Sequence, residues 1–73
     1  MPRTAIESEV TGKVWKIAAE VGTTLSADDT ILVVESMKME IPVVAPSGGR
    51  LVEVRVQEGE AVETGQVVAV LER

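Results

Sequence analysis

From residue 50 to 56 the chain alternates, with Val52, Val54 and Val56 on one side of an extended backbone and Glu53 and Arg55 on the other. A period of two marks a half-buried strand. The same reading turns Trp15 and Ile17 inward on an earlier strand. Residues 30–34 and 67–71 are almost continuously apolar, which predicts strands covered on both faces. Between such runs, Glu20-Val21-Gly22-Thr23 and Gln57-Glu58-Gly59-Glu60 predict tight turns with glycine at positive φ. No segment keeps an i, i+3, i+4 apolar stripe with caps over three turns, although residues 15–20 alone would pass for a fragment of a helix. The prediction is an all-β domain.

The pattern occurs twice. A shift that carries Gly12 onto Gly49, 37 positions on, also carries Gly22 onto Gly59, Val33 onto Val70 and Glu35 onto Glu72 without a gap. Between these anchors the character matches: Lys13 with Arg50, Val14 with Leu51, Trp15 with Val52, Ile17 with Val54, Leu25 with Val62 and Ile31 with Val68. Two copies are too few for a solenoid. They imply two half-sheets related by an approximate two-fold axis, each covering the other's apolar face. In the second turn of each copy Asp28 stands where its twin is Gly65. Asp tolerates a left-handed backbone better than most residues, so both positions are expected to adopt one.

Composition narrows what such a domain can do. With 73 residues there is one domain, 1–73, and one core. A chain of this size buries only about 60% of the surface it exposes unfolded, so a deep catalytic cleft is not expected. Trp15 is the sole aromatic residue, which leaves the packing to Val, Ile, Leu and Ala. Seven basic against twelve acidic residues give a formal charge of −5, which disfavours nucleic acid as a partner. The chain has no Cys and no His, which removes disulfides, thiolate catalysis, the common zinc sites and the neutral-pH proton shuttle. Asp28 and Asp29 sit among turn residues and read as solvated. No nucleophile–base pair suggests itself, so no catalytic residue is assigned. No run approaches the ~18 apolar residues of a membrane helix, and the first residues lack the apolar core of a signal peptide. A cytoplasmic location, no membrane partner and a monomer in isolation are the expectations.

One segment stands apart. After Glu35 the chain inserts Ser36-Met37-Lys38-Met39-Glu40-Ile41-Pro42 before the second copy begins near Ser47. Residues 31–44 read on pattern alone as one long strand, since Met37-Lys38 is not the Asn-Gly or Asp-Gly of a usual two-residue hairpin. Such a strand would exceed the roughly three to ten residues usual in globular domains. The repeat also asks the chain to cross between half-sheets here. A reversal at Met37-Lys38 meets both demands. If it is a turn of the primed type, residues with a Cβ hold positive φ at a cost of about 1–3 kcal/mol each. Strain of that size points to a purpose: projecting one lysine, flanked by two adaptable thioethers, from a rigid scaffold. An arbitrary hairpin lysine is a solvated charge and a neighbouring Met is core filler. Lys38 differs in lying between the repeats and between two of the chain's three Met residues. The residues alone carry the argument as far as a displayed lysine.

Glu35-Ser36-Met37-Lys38-Met39-Glu40-Ile41-Pro42 resembles the attachment segment of biotinyl domains, the carrier modules of biotin-dependent carboxylases, whose motif Met-Lys-Met usually follows Ala and here follows Ser36. It is similar in particular to the short bacterial biotin/lipoyl attachment proteins, and residues 45–49 and 58–62 fit the second half of the family pattern. The resemblance implies a flattened β-barrel or sandwich of two four-stranded sheets with the attachment lysine on the joining hairpin. It implies covalent biotin on Lys38, joined by a biotin protein ligase and then carried between biotin carboxylase and carboxyltransferase subunits. Met37 and Met39 would present the arm and be read by those partners. Glu35 and Glu40 either meet the ligase or simply solubilise the strand ends. The protruding thumb of some acetyl-CoA carboxylase carriers is absent, because the first copy aligns to the second without insertion.

Two other functions fit the same scaffold. A lipoyl carrier also uses a hairpin lysine, but usually with Asp before it and Ala after, so Met37 and Met39 argue against it. An unmodified adaptor domain is the other, since fold does not dictate function.

Overall fold

Eight strands form among residues 2–73, which are those described by the computed structural model. They are β1 (Arg3–Glu7), β2 (Gly12–Ile17), β3 (Thr24–Leu25), β4 (Thr30–Ser36), β5 (Met39–Val44), β6 (Gly49–Val54), β7 (Ala61–Val62) and β8 (Val67–Glu72). Two antiparallel four-stranded sheets result, in the orders β1-β8-β6-β3 and β5-β4-β2-β7. Residues 15–20 form no helix: β2 runs on to Ile17. No helix among the described residues is long and apolar enough to cross a membrane.

The repeat is present, but the copies do not each make a sheet. The shift that carries Gly12 onto Gly49 carries β1 to β5, β2 to β6, β3 to β7 and β4 to β8, and it exchanges the two sheets strand for strand. Each sheet therefore takes two strands from each copy. Interleaving leaves neither half with a complete sheet to fold around, so the core belongs to both halves jointly. The supposed insertion also contains structure, because β5 is the counterpart of β1, with Val43 buried where Ile6 is. Contrary to the sequence expectation, the chain does not change sheets at Met37-Lys38. Both β4 and β5 lie in one sheet, and the crossing comes after β5, on the way to β6.

Bulges decide which side chains face inward. The β2–β4 register slips between Val14 and Lys16, and the β6–β8 register between Leu51 and Glu53, leaving Trp15 and Val52 as extra residues at equivalent places. An extra residue reverses the facing of every later residue in its strand. Val14 and Leu51 are consequently buried, Val52 is only half-buried, and Trp15 is 51% exposed rather than inward. Ile17 and Val54 do pack against the core, and Val56 is buried within it. A second matched pair of slips leaves Ile31 opposite β5 and Val68 opposite β1 as the extra residues. That is why Ile31 and Leu32, and Val68 and Ala69, are buried in succession. Thus the apolar runs do not have both faces in the core: Val33 is half-buried, and Val70, though buried, lies outside the core cluster.

The turns obey the expected chemistry. Asp28 has φ 72° and Gly65 φ 87°, while Gly22 and Gly59 also hold positive φ. Equivalent backbone bonds tie the first pair down: Asp28 N–H donates to Ala45 O at 2.8 Å, and Gly65 N–H to Ser8 O at 2.8 Å. Asp28 and Asp29 are exposed as expected, and a carboxylate oxygen of Asp29 accepts from the Ser26 N–H.

Candidate functional site

Ser36 pairs with Met39, which leaves Met37 and Lys38 as a two-residue turn with φ 50° and 66°. Positive φ at both central residues defines the I′ geometry, whose twist matches that of the flanking strands. Neither residue is the Asn or Gly that such a turn favours. The pairing enforces it. Val34 and Val43 are buried, and a slip of one residue would turn them both outward. The ladder from Ser36↔Met39 through Val33↔Pro42 thereby over-determines the reversal and holds its strain.

The tip presents side chains to solvent and little else. Lys38 is exposed and, among the described residues, enters no hydrogen bond or salt bridge. Met37 is 92% exposed and Met39 64%, so neither thioether serves the core. Below them Glu35 stands directly opposite Glu40, both exposed. Lys38 Nζ thus sits on a fixed backbone with free access, which suits acylation by an external enzyme.

The base of the hairpin is braced from the neighbouring loop. Ser36 Oγ donates to the Thr11 carbonyl at 2.9 Å, and the Thr11 hydroxyl accepts from Thr64 N–H at 3.1 Å. Gly12 permits this approach: a Cβ there would lie 2.3 Å from the Glu35 carbonyl oxygen. The brace between Thr11 and Ser36 carried no signal in the sequence, because their twins, Gly48 and Arg73, share no chemistry with them. The strand ends also place the tip. β1 begins beside Glu72 and runs toward Thr11, whose carbonyl meets Ser36, so Lys38 and the Arg3–Glu72 pair lie toward opposite ends of a body 36 Å long.

A family profile described as Biotin-requiring enzyme, Biotin_lipoyl, matches residues 2–71. The chain belongs to this family. It is 35% identical to the Biotin/lipoyl attachment protein of Bacillus subtilis over 63 residues, 86% of each chain. It is 37% identical to the Pyruvate carboxylase of the same species over 93% of its own length but only 6% of that protein. Among solved structures the Kluyveromyces lactis Urea Carboxylase superposes with a TM-score of 0.94 at 35% identity, over 99% of this chain and 6% of that one. The chain therefore spans a small fraction of these large carboxylases and most of the short attachment protein. These matches favour the biotin-carrying branch over the lipoyl one and group the chain with carrier components rather than catalytic ones.

Proposed function

We propose that residues 1–73 act as one biotinyl domain in which Lys38 is the attachment point, modified by a biotin protein ligase. The single observation that carries this is the exposed Lys38, unpaired among the described residues, at the tip of a strained two-residue turn between exposed Met37 and Met39. In the attachment step the unprotonated Nζ attacks the acyl carbon of activated biotin. A C–N bond forms, the bond to the activating group breaks and takes its electron pair with it, and the proton of Nζ passes to a base of the ligase or to water. The product is an amide, so the domain becomes one unit more negative than its formal −5.

Biotin bound in this way supplies the chemistry that takes up and gives back a carboxyl group. What the chain supplies is position. The I′ turn fixes the Lys38 backbone while the side chain stays free to swing, so the tethered group reaches a biotin carboxylase site and a carboxyltransferase site at high effective concentration. Met37 and Met39 offer polarizable surface for those sites to grip. A cytoplasmic setting, where ligase and carboxylase subunits are met, completes the reading.

The test is the intact mass of the protein coexpressed with a biotin protein ligase and fed biotin, beside Lys38→Arg. One biotin on the parent and none on the variant is the expected result. A lipoyl group added instead, under a lipoate ligase, would reassign the domain to a lipoyl carrier, and no addition by either enzyme would leave an unmodified adaptor.

A further inference from the structure

Trp15 is the chain's one aromatic residue, and the fold places it outside the core. Its position does not require an indole, because the matching bulge in the other copy holds Val52. Packing therefore leaves the indole unexplained. Its ring borders a shallow hollow lined by Lys13, Val14, Glu35 and Gly59, on the sheet that also bears the Lys38 hairpin. Lys13 and Lys16 flank it and enter no salt bridge among the described residues, while Glu35 lines the hollow and a Glu58 carboxylate oxygen accepts from the Ile17 N–H, so the rim carries both signs of charge.

Register sets the distance to the tip. Trp15 lies between residues paired with Val34 and Val33, so it is about 10 Å along the sheet from Ser36. A standard interface covers about 800 Å² per partner, a patch of about 16 Å radius, so an enzyme whose footprint lies between Lys38 and Trp15 covers both well inside its edge. Two kinds of enzyme act at Lys38 under the proposed function, and reach distinguishes them. The unmodified lysine extends only roughly 6 Å beyond its backbone at ordinary covalent dimensions, so the enzyme that first modifies it must sit directly on the hairpin. The later partners meet a longer arm and can stand further off.

We infer that Trp15 is an anchor by which the biotin protein ligase docks on this carrier, its indole entering an apolar pocket whose polar border meets Lys13, Lys16 and Glu35. The inference rests on the carrier reading above. Aromatic side chains that become fully buried inside an interface carry a disproportionate share of binding, while charged groups around them set orientation and on-rate.

The experiment is steady-state biotinylation of the whole domain by purified ligase, comparing the parent with Trp15→Val and Trp15→Phe. Val is the residue its twin already holds, so the fold is preserved, and thermal unfolding checks this. The expected result is a KM at least tenfold higher for Trp15→Val with kcat little changed, and a partial return toward the parent for Trp15→Phe. Acylation of Lys38 by a small reagent should be equal in all three, since the tip itself is untouched. A Trp15→Val KM within twofold of the parent overturns the anchor and leaves the carrier reading standing. A change in kcat alone overturns it equally. A parent that takes no biotin overturns the carrier reading and the anchor together.

Discussion

At one end of the molecule Glu35 faces Glu40; at the other Glu72 faces Arg3, and the repeat makes these pairs copies of each other. In the second pair a carboxylate oxygen of Glu72 accepts from Arg3 Nε at 3.1 Å, and its other oxygen from Arg50 at 3.5 Å. In the first, Lys13 stands at the place of Arg50 without bridging to Glu35, and two like charges oppose each other across the ladder. Like charges directly opposite destabilise a sheet modestly. The end with the unneutralised pair is also the one with two strained residues in its turn. The same scaffold is thus built twice, and the copy that displays Lys38 has given up stability to do so.

Four tests, made with six substitutions, probe that contrast. Gly12→Ala should have the largest effect, since its Cβ would meet the Glu35 carbonyl oxygen at 2.3 Å, whereas Gly49→Ala meets the Glu72 carbonyl oxygen at 3.0 Å and needs only a small shift. Urea unfolding should give losses of about 3 and about 1 kcal/mol respectively; equal losses would mean that the two ends are equally tolerant. Relieving the turn acts in the other direction. Lys38→Gly should raise stability by about 1 kcal/mol in the same assay while abolishing biotin attachment. No gain would show that the turn is not strained.

Giving the functional end the charges of its twin is the third. Glu40→Arg, which places a cation opposite Glu35, should stabilise by about 0.5 kcal/mol at low salt, and Arg3→Glu should cost a similar amount. Both differences should shrink in 1 M salt, where exposed charges are screened within about 3 Å; persistence there would point to packing instead. The smallest effect on stability belongs to Trp15→Val, expected to change the unfolding free energy by no more than about 0.5 kcal/mol because the indole lies outside the core. A larger loss would mean that the indole supports the sheet.

Much of this was legible in the chain. Asp28 and Gly65 occupy equivalent places and share one backbone conformation because a tight turn imposes local demands that few residues satisfy. Met37-Lys38 was readable as a reversal because strand length is limited and the repeat needs a join. The all-β character came from alternation and the lack of a helical stripe. The Met-Lys-Met segment carried the family resemblance, which the matching profile and relatives bear out.

The facing of Trp15 and the partnership of the strands were not legible. Alternation assigns faces only while the register is unbroken, and the bulges at Trp15, Ile31, Val52 and Val68 break it through pairing with residues far away in the chain. The likeness of β5 to β1 was hidden for a related reason: Ile6 and Val43 are their one clear match, and the remaining positions are exposed or, at Thr4 and Ile41, only half-buried, where packing constrains the residue less. Local rules fixed the turns and the displayed lysine, since backbone conformation depends on a few neighbouring residues. Only the tertiary structure decided which strands share a sheet and which side chains turn outward, because those outcomes depend on non-local hydrogen bonding and a core that both halves must fill together.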